Sequence, residues 1–233
     1  MDQPQLVAPS HGQVVDEAKT AAPSRDAADL AKSAEREKWR ASLREANQHV
    51  WLHGPHGSGD NLDASLKRNS AFIKRLKQTN LADAKDALVK EVQLLSLTKY
   101  LDELIPSIPE ILWKATTLKD RYAVIEILCA LHARFGGSEF TEPLLKVMEQ
   151  EIVPPPPKSQ DASNEQAQKE AALVARQRSL LRGVTEMVLV GLVGPMTQSE
   201  GVCAPGLNWV YEHLRKMLSQ DRQLVYTSVT HSI

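Results

Sequence analysis

The stretch from residue 120 to residue 135 constrains this chain more than any other. Val124, Leu128, Leu131 and Phe135 recur at helical spacing, and Ile125 and Ile127 widen the stripe until the segment is apolar nearly all round. A helix of that kind packs on two sides, so it requires further layers of structure above and below it. Gly136-Gly137 closes it, because glycine readily takes the backbone geometry that ends a helix.

The neighbouring segments follow the same period. Phe72, Ile73 and Leu76, with Leu66, fall on one side of a helix over about 63–78. Lys67, Arg68, Lys74 and Arg75 fall on the other. Leu81, Leu88, Val92 and Leu95 mark the next helix. Leu97 to Ile105 reads as a further one, with Thr98 as N-cap. Pro106 and Pro109 then predict a kink or break, since proline removes a donor and clashes with the preceding turn. Thr141 caps a helix with Pro143 in its first turn and Leu144, Met148 and Ile152 on its inner face. The prolines at 154–157 stop that helix. Ser163 and Gln166 form a capping-box pattern opening a helix that runs as far as Val193, with Leu173, Leu180, Val184 and Val188 inward. Leu207, Val210, Leu214, Met217 and Leu218 mark a last helix, to about Arg222. No segment alternates as a strand does.

The fold class expected is all-α, a HEAT-like stack of antiparallel helix pairs. Four parts are expected: a disordered tail at 1–30, a charged helix at 31–52 with Trp39 and Leu43 on one narrow stripe, a linker at 53–61, and a partial helical-repeat domain at 62–233. The chain stops at Ile233 soon after a helix, which reads as a truncated domain with an uncovered apolar end and marginal solubility.

Composition limits the functions available. The formal net charge is −1, so any affinity for nucleic acid must be local. The two cysteines, Cys129 and Cys203, form no disulfide framework and are expected to be buried thiols. The start of the chain has no basic region followed by an apolar run, so no signal peptide is expected. The longest apolar stretch, 184–195, is too short to span a bilayer. A soluble intracellular protein follows.

The search for chemistry yields little. Gly54 to Asn61 has glycines at phosphate-loop spacing, but Asp60 and Asn61 stand where Lys and Ser or Thr are needed, so it reads as linker. His53 and His56 lie three apart with no further ligand beside them. His132 on the apolar helix reads as hydrogen-bonded structure. No catalytic residues, metal, cofactor or small-molecule substrate are expected, and the chain reads as a non-enzyme. The one strong charge asymmetry is Lys67, Arg68, Lys74, Arg75 and Lys77, the candidate contact for RNA or for an acidic protein partner.

Four segments in order carry a resemblance. They are Leu66-Lys-Arg-Asn-Ser-Ala-Phe-Ile-Lys-Arg-Leu-Lys77, Leu95-Ser-Leu-Thr-Lys-Tyr-Leu-Asp-Glu-Leu-Ile105, Ala123-Val-Ile-Glu-Ile-Leu-Cys-Ala-Leu-His-Ala-Arg-Phe135 and Leu181-Arg-Gly-Val-Thr-Glu-Met-Val-Leu-Val-Gly191. Over residues 62–225 the chain resembles the first middle domain of the scaffold family of nonsense-mediated mRNA decay, the second of the up-frameshift factors. The resemblance implies the fold of the eIF4G middle domain, with room here for about three helix pairs. It implies a cytoplasmic or perinuclear scaffold that meets protein partners of the decay machinery. The alternatives are a direct RNA binder using the basic helix, or a translation-initiation scaffold of the same fold.

Overall fold

The computed structural model describes residues 25–57, 61–78, 80–152, 164–194 and 205–220. Contacts divide the chain into two units, 1–37 and 38–233. Of the first unit, residues 25–37 are described, and they form the opening turns of helix α1 (Arg25–His53). Helix is present from Arg25, inside the stretch 1–30 that the sequence leads one to expect as tail.

The second unit contains the rest of α1 and α2 (Leu66–Leu76), α3 (Leu81–Leu94), α4 (Leu101–Lys114), α5 (Leu118–Gly136), α6 (Glu142–Glu151), α7 (Asn164–Leu189) and α8 (Pro205–Gln220). Among the described residues there is no strand, only a lone parallel bridge between Asp63 and Leu95. The core is continuous from Phe72 on α2 to Val210 on α8, and it is built mainly of Leu, Ile and Val.

α5 lies at the centre. Its buried residues go round the whole helix, from Ala123 to Gly136, as its all-round apolar sequence requires. α3 runs parallel to it, in a register set by Ala82 N donating to Asp120 Oδ1 at 3.1 Å, the Lys85–Glu126 ion pair at 2.7 Å, and Arg134 donating to Val92 O. α3 and α5 thus form one layer of a HEAT-like stack of helix pairs.

Residues 38–53 of α1 belong to this same packed unit rather than to a separate charged helix. Arg40 grips Glu186 with both arms, at 2.9 and 2.6 Å, and both side chains are largely buried. Arg44 donates to Leu189 O, Asn47 to Val190 O and Trp51 to Gly191 O, at 2.9, 2.8 and 3.2 Å. Trp39 donates to Glu126 at 2.9 Å and packs against Tyr122 with the rings tilted by 35°. Arg40, Arg44, Asn47 and Trp51 are spaced three or four residues apart, so they share one helix face.

Several expectations are corrected. Pro106 and Pro109 do not break the helix: α4 runs unbroken through both. Its inward face holds Leu101, Leu104, Ile105, Ile108, Ile111 and Leu112, and burying such side chains at roughly 1.5–3 kcal/mol each outweighs about 3 kcal/mol per proline. Thr98 opens a 3-10 turn, Thr98–Tyr100, and α4 begins only at Leu101. Thr141 does not cap α6. It lies in a π turn, Gly137–Thr141, and its hydroxyl bonds His132 instead, at 2.7 Å. The working cap is Thr117, which accepts from the Asp120 amide at 3.1 Å to open α5. Leu66 is 69% exposed, and Asn69 takes the inward position at the start of α2. α7 ends at Leu189, and the capping residue Ser163 lies outside the described residues. So does Cys203.

Candidate interaction surface

The basic helix α2 owes its placement to the turn before it. Asp63 donates its amide to Leu94 O and accepts from Ser96 N, which ties the turn to the end of α3. Its carboxylate accepts from Ser65 N at 2.8 Å and from the Arg68 guanidinium. The Ser65 amide and Arg68 hold that carboxyl below its ordinary pKa. Asn69, fully buried, donates to Ser65 O at 2.9 Å and to Asp63 O at 3.2 Å. Phe72, Ile73 and Leu76 then fix the inward face.

That placement sorts the five basic residues. Arg68 belongs to the Asp63 turn. Arg75 pairs with Glu91 of α3, and Lys77 lies 3.6 Å from Glu103 of α4. Lys67 and Lys74 are exposed, and among the described residues no carboxylate pairs with either. Seven residues apart, they stand two helical turns and about 10.5 Å from one another on the outermost line of α2. Residues 61–95 hold seven Lys and Arg against four Asp and Glu, a local charge of +3 in a chain of −1. Of the five basic residues at 67–77, Lys67 and Lys74 are thus uncommitted, and Arg68, Arg75 and Lys77 are held by carboxylates of the same chain.

The buried reactive groups are bound into structure. Burial pushes the Cys129 thiol up to about 12, and Asn47 Nδ2 lies 3.2 Å from its Sγ. Burial lowers His132 to about 4, so it is a neutral imidazole, packed against Trp51 with ring centres 4.9 Å apart and the planes tilted by 45°. Arg134, also buried, reaches the carbonyl end of α3 at Val92, where a cation suits the helix dipole. Each polar residue of the His132–Phe135 signature thus joins α5 to a neighbour. Sequence could not show this, because the partners lie 9 and 42 positions away. Among the described residues no three His, Cys, Asp or Glu side chains converge as metal ligands do, and no helix is long and apolar enough to cross a membrane.

No protein-family model matches the chain. It is similar to Nonsense-mediated mRNA decay protein 2 of Saccharomyces cerevisiae, 38% identical over 132 residues, which are 56% of this chain and 12% of that protein. It is also similar to Regulator of nonsense transcripts 2 of Mus musculus, 30% identical over 192 residues, or 81% of this chain and 13% of that protein. The chain thus spans about one-eighth of the length of these relatives. Among solved structures it matches the N-terminal mIF4G domain of S. cerevisiae Upf2, with a TM-score of 0.67 and 27% identity, over 83% of this chain and 64% of that one.

Proposed function

We propose, from the premise that this chain carries an mIF4G-type helical domain related to the N-terminal one of Upf2, that it is a non-enzymatic scaffold module of nonsense-mediated mRNA decay. It would act in the cytoplasm by presenting a rigid helical surface to other decay factors. The alignment of 81% of the chain with a regulator of nonsense transcripts carries this reading. The neutral, buried states of Cys129 and His132 agree with a part that binds rather than reacts. Deleting residues 38–220 in the protein's own cells tests it. A reporter mRNA with a premature stop codon should rise several-fold over the same mRNA without one. Unchanged decay, with the shortened protein at normal abundance, would refute the reading.

A second reading is favoured by Lys67 and Lys74 alone: direct contact with RNA phosphates. The measurement is anisotropy of a labelled single-stranded RNA across a salt series. If both lysines touch phosphates, Lys67→Gln with Lys74→Gln weakens binding and flattens the log–log salt slope by roughly 1.4. Binding with an unchanged slope removes α2 from the RNA question. Arg68 and Arg75 are poor probes, because their loss would also break the Asp63 turn and the Glu91 pair.

A further inference from the structure

His49 stands one helical turn before His53, and the fold brings His56 to the same pair. Gly54 ends α1 at φ +86°, with its amide bonded to Val50 O at 2.9 Å. The chain then turns back, and the His56 amide donates to Ala133 O at 2.8 Å. Pro55 comes to rest against Gly136. This reversal lays His56 beside the last turns of α1. The His49 ring then has His53 at 4.3 Å and His56 at 5.5 Å, measured between ring centres. Glu45, one turn before His49, lines the same open hollow of about 390 Å³ with Ser42, Ala46, His49 and His56.

We propose that His49, His53 and His56, with Glu45 as the fourth donor, bind a divalent transition-metal ion of the Zn2+ type. Three imidazoles and a carboxylate form a donor set that suits zinc. Positions 45, 49 and 53 repeat at one-turn spacing and so share a helix face. His53 Nδ1 lies 3.1 Å from the His49 carbonyl oxygen. A carbonyl only accepts, so Nδ1 carries the hydrogen and Nε2 keeps its lone pair outward. A backbone carbonyl on the other ring nitrogen is the usual way a ligating histidine is oriented. The rings stack rather than converge here, and all three histidines are exposed. With His53 held by that carbonyl, coordination requires His49 and His56 to leave the stack for other staggered rotamers that bring their nitrogens to the ion. The ion would fasten residues 54–57 to α1.

The test is titration of the full chain with Zn2+ in competition with a chromophoric chelator, with Co2+ as a spectroscopic probe of ligand type. One ion per chain with imidazole-type Co2+ absorption is expected. His56→Gln leaves the helix pair intact and should weaken binding at least about tenfold, the loss that even an outer partner of a ligand causes. The triple variant His49→Gln, His53→Gln, His56→Gln should not bind, and His213→Gln on α8 should match wild type. Zn2+ should also slow amide exchange at residues 53–57 in wild type and not in the triple variant. Equal affinity in the wild type and the triple variant overturns the site. So does a His56→Gln variant as tight as wild type, which leaves only a helix pair. A loss with His213→Gln instead places the ion elsewhere. All three histidines are exposed, so circular dichroism should show each variant folded.

Discussion

At the scale of single residues, Gly137 shows how little room the fold leaves. A Cβ built there would lie 2.2 Å from Trp51 Cζ3. Trp51 is itself held by its bond to Gly191 O and its tilted contact with His132. Gly137→Ala should therefore destabilise the domain by about 1–3 kcal/mol, as overpacking does. The cost should shrink when Trp51→Leu is made as well, and a double-mutant cycle in urea measures that coupling. Additive losses would mean that the tryptophan is not the obstacle. His132 makes a pH prediction. Its pKa is depressed from 6.5 to about 4 by burial. Between those values the unfolded chain takes up a proton that the folded one refuses. The contribution is thus complete above pH 6.5 and is lost as the pH falls toward 4, by about 1.4 kcal/mol per unit. Urea midpoints at pH 7 and 5.5 should fall less in His132→Gln than in wild type, and an equal fall would contradict the assignment.

At the scale of elements, α4 separates two prolines that look alike in sequence. Pro106 is exposed in the helix interior, where it removes a hydrogen bond and crowds the preceding turn without filling any core. Pro106→Ala should raise stability, by up to about 3 kcal/mol. Pro109 is buried, so Pro109→Ala restores a bond and also opens a cavity, and the two effects oppose each other. Thermal melts of the two variants check this. A Pro106→Ala protein no more stable than wild type would show that the helix is already distorted to suit the ring. α1 carries the other element-scale prediction. Arg40→Met strips Glu186 of its bidentate partner in a largely buried position, with Arg121 still nearby, and should cost up to about 3–5 kcal/mol. Arg40→Met with Glu186→Leu should recover much of that.

At the scale of the whole molecule, the division at residue 37 predicts where the chain can be cut. Residues 38–233 should melt as the full chain does. Residues 62–233 lose Trp39, Arg40, Asn47 and Trp51, and with them the face of α5 and α7 that those residues cover. That shorter piece should melt well below the full chain or aggregate. Equal melting of the two pieces would show that α1 adds nothing.

The sequence by itself determined the fold class. Helical periodicity and the all-round apolar segment at 120–135 are local patterns, and they leave few ways to bury so much leucine, isoleucine and valine. It also carried the family likeness, through four segments in order. Only the tertiary structure decided that residues 38–53 of α1 belong to the domain, because their pins reach carbonyls and a carboxylate about 140 residues away. It likewise decided which cations on α2 are committed, since Arg75 and Lys77 find their carboxylates on other helices. Local patterns arise from neighbours along the chain, whereas pairing across it depends on the packing that folding alone brings about.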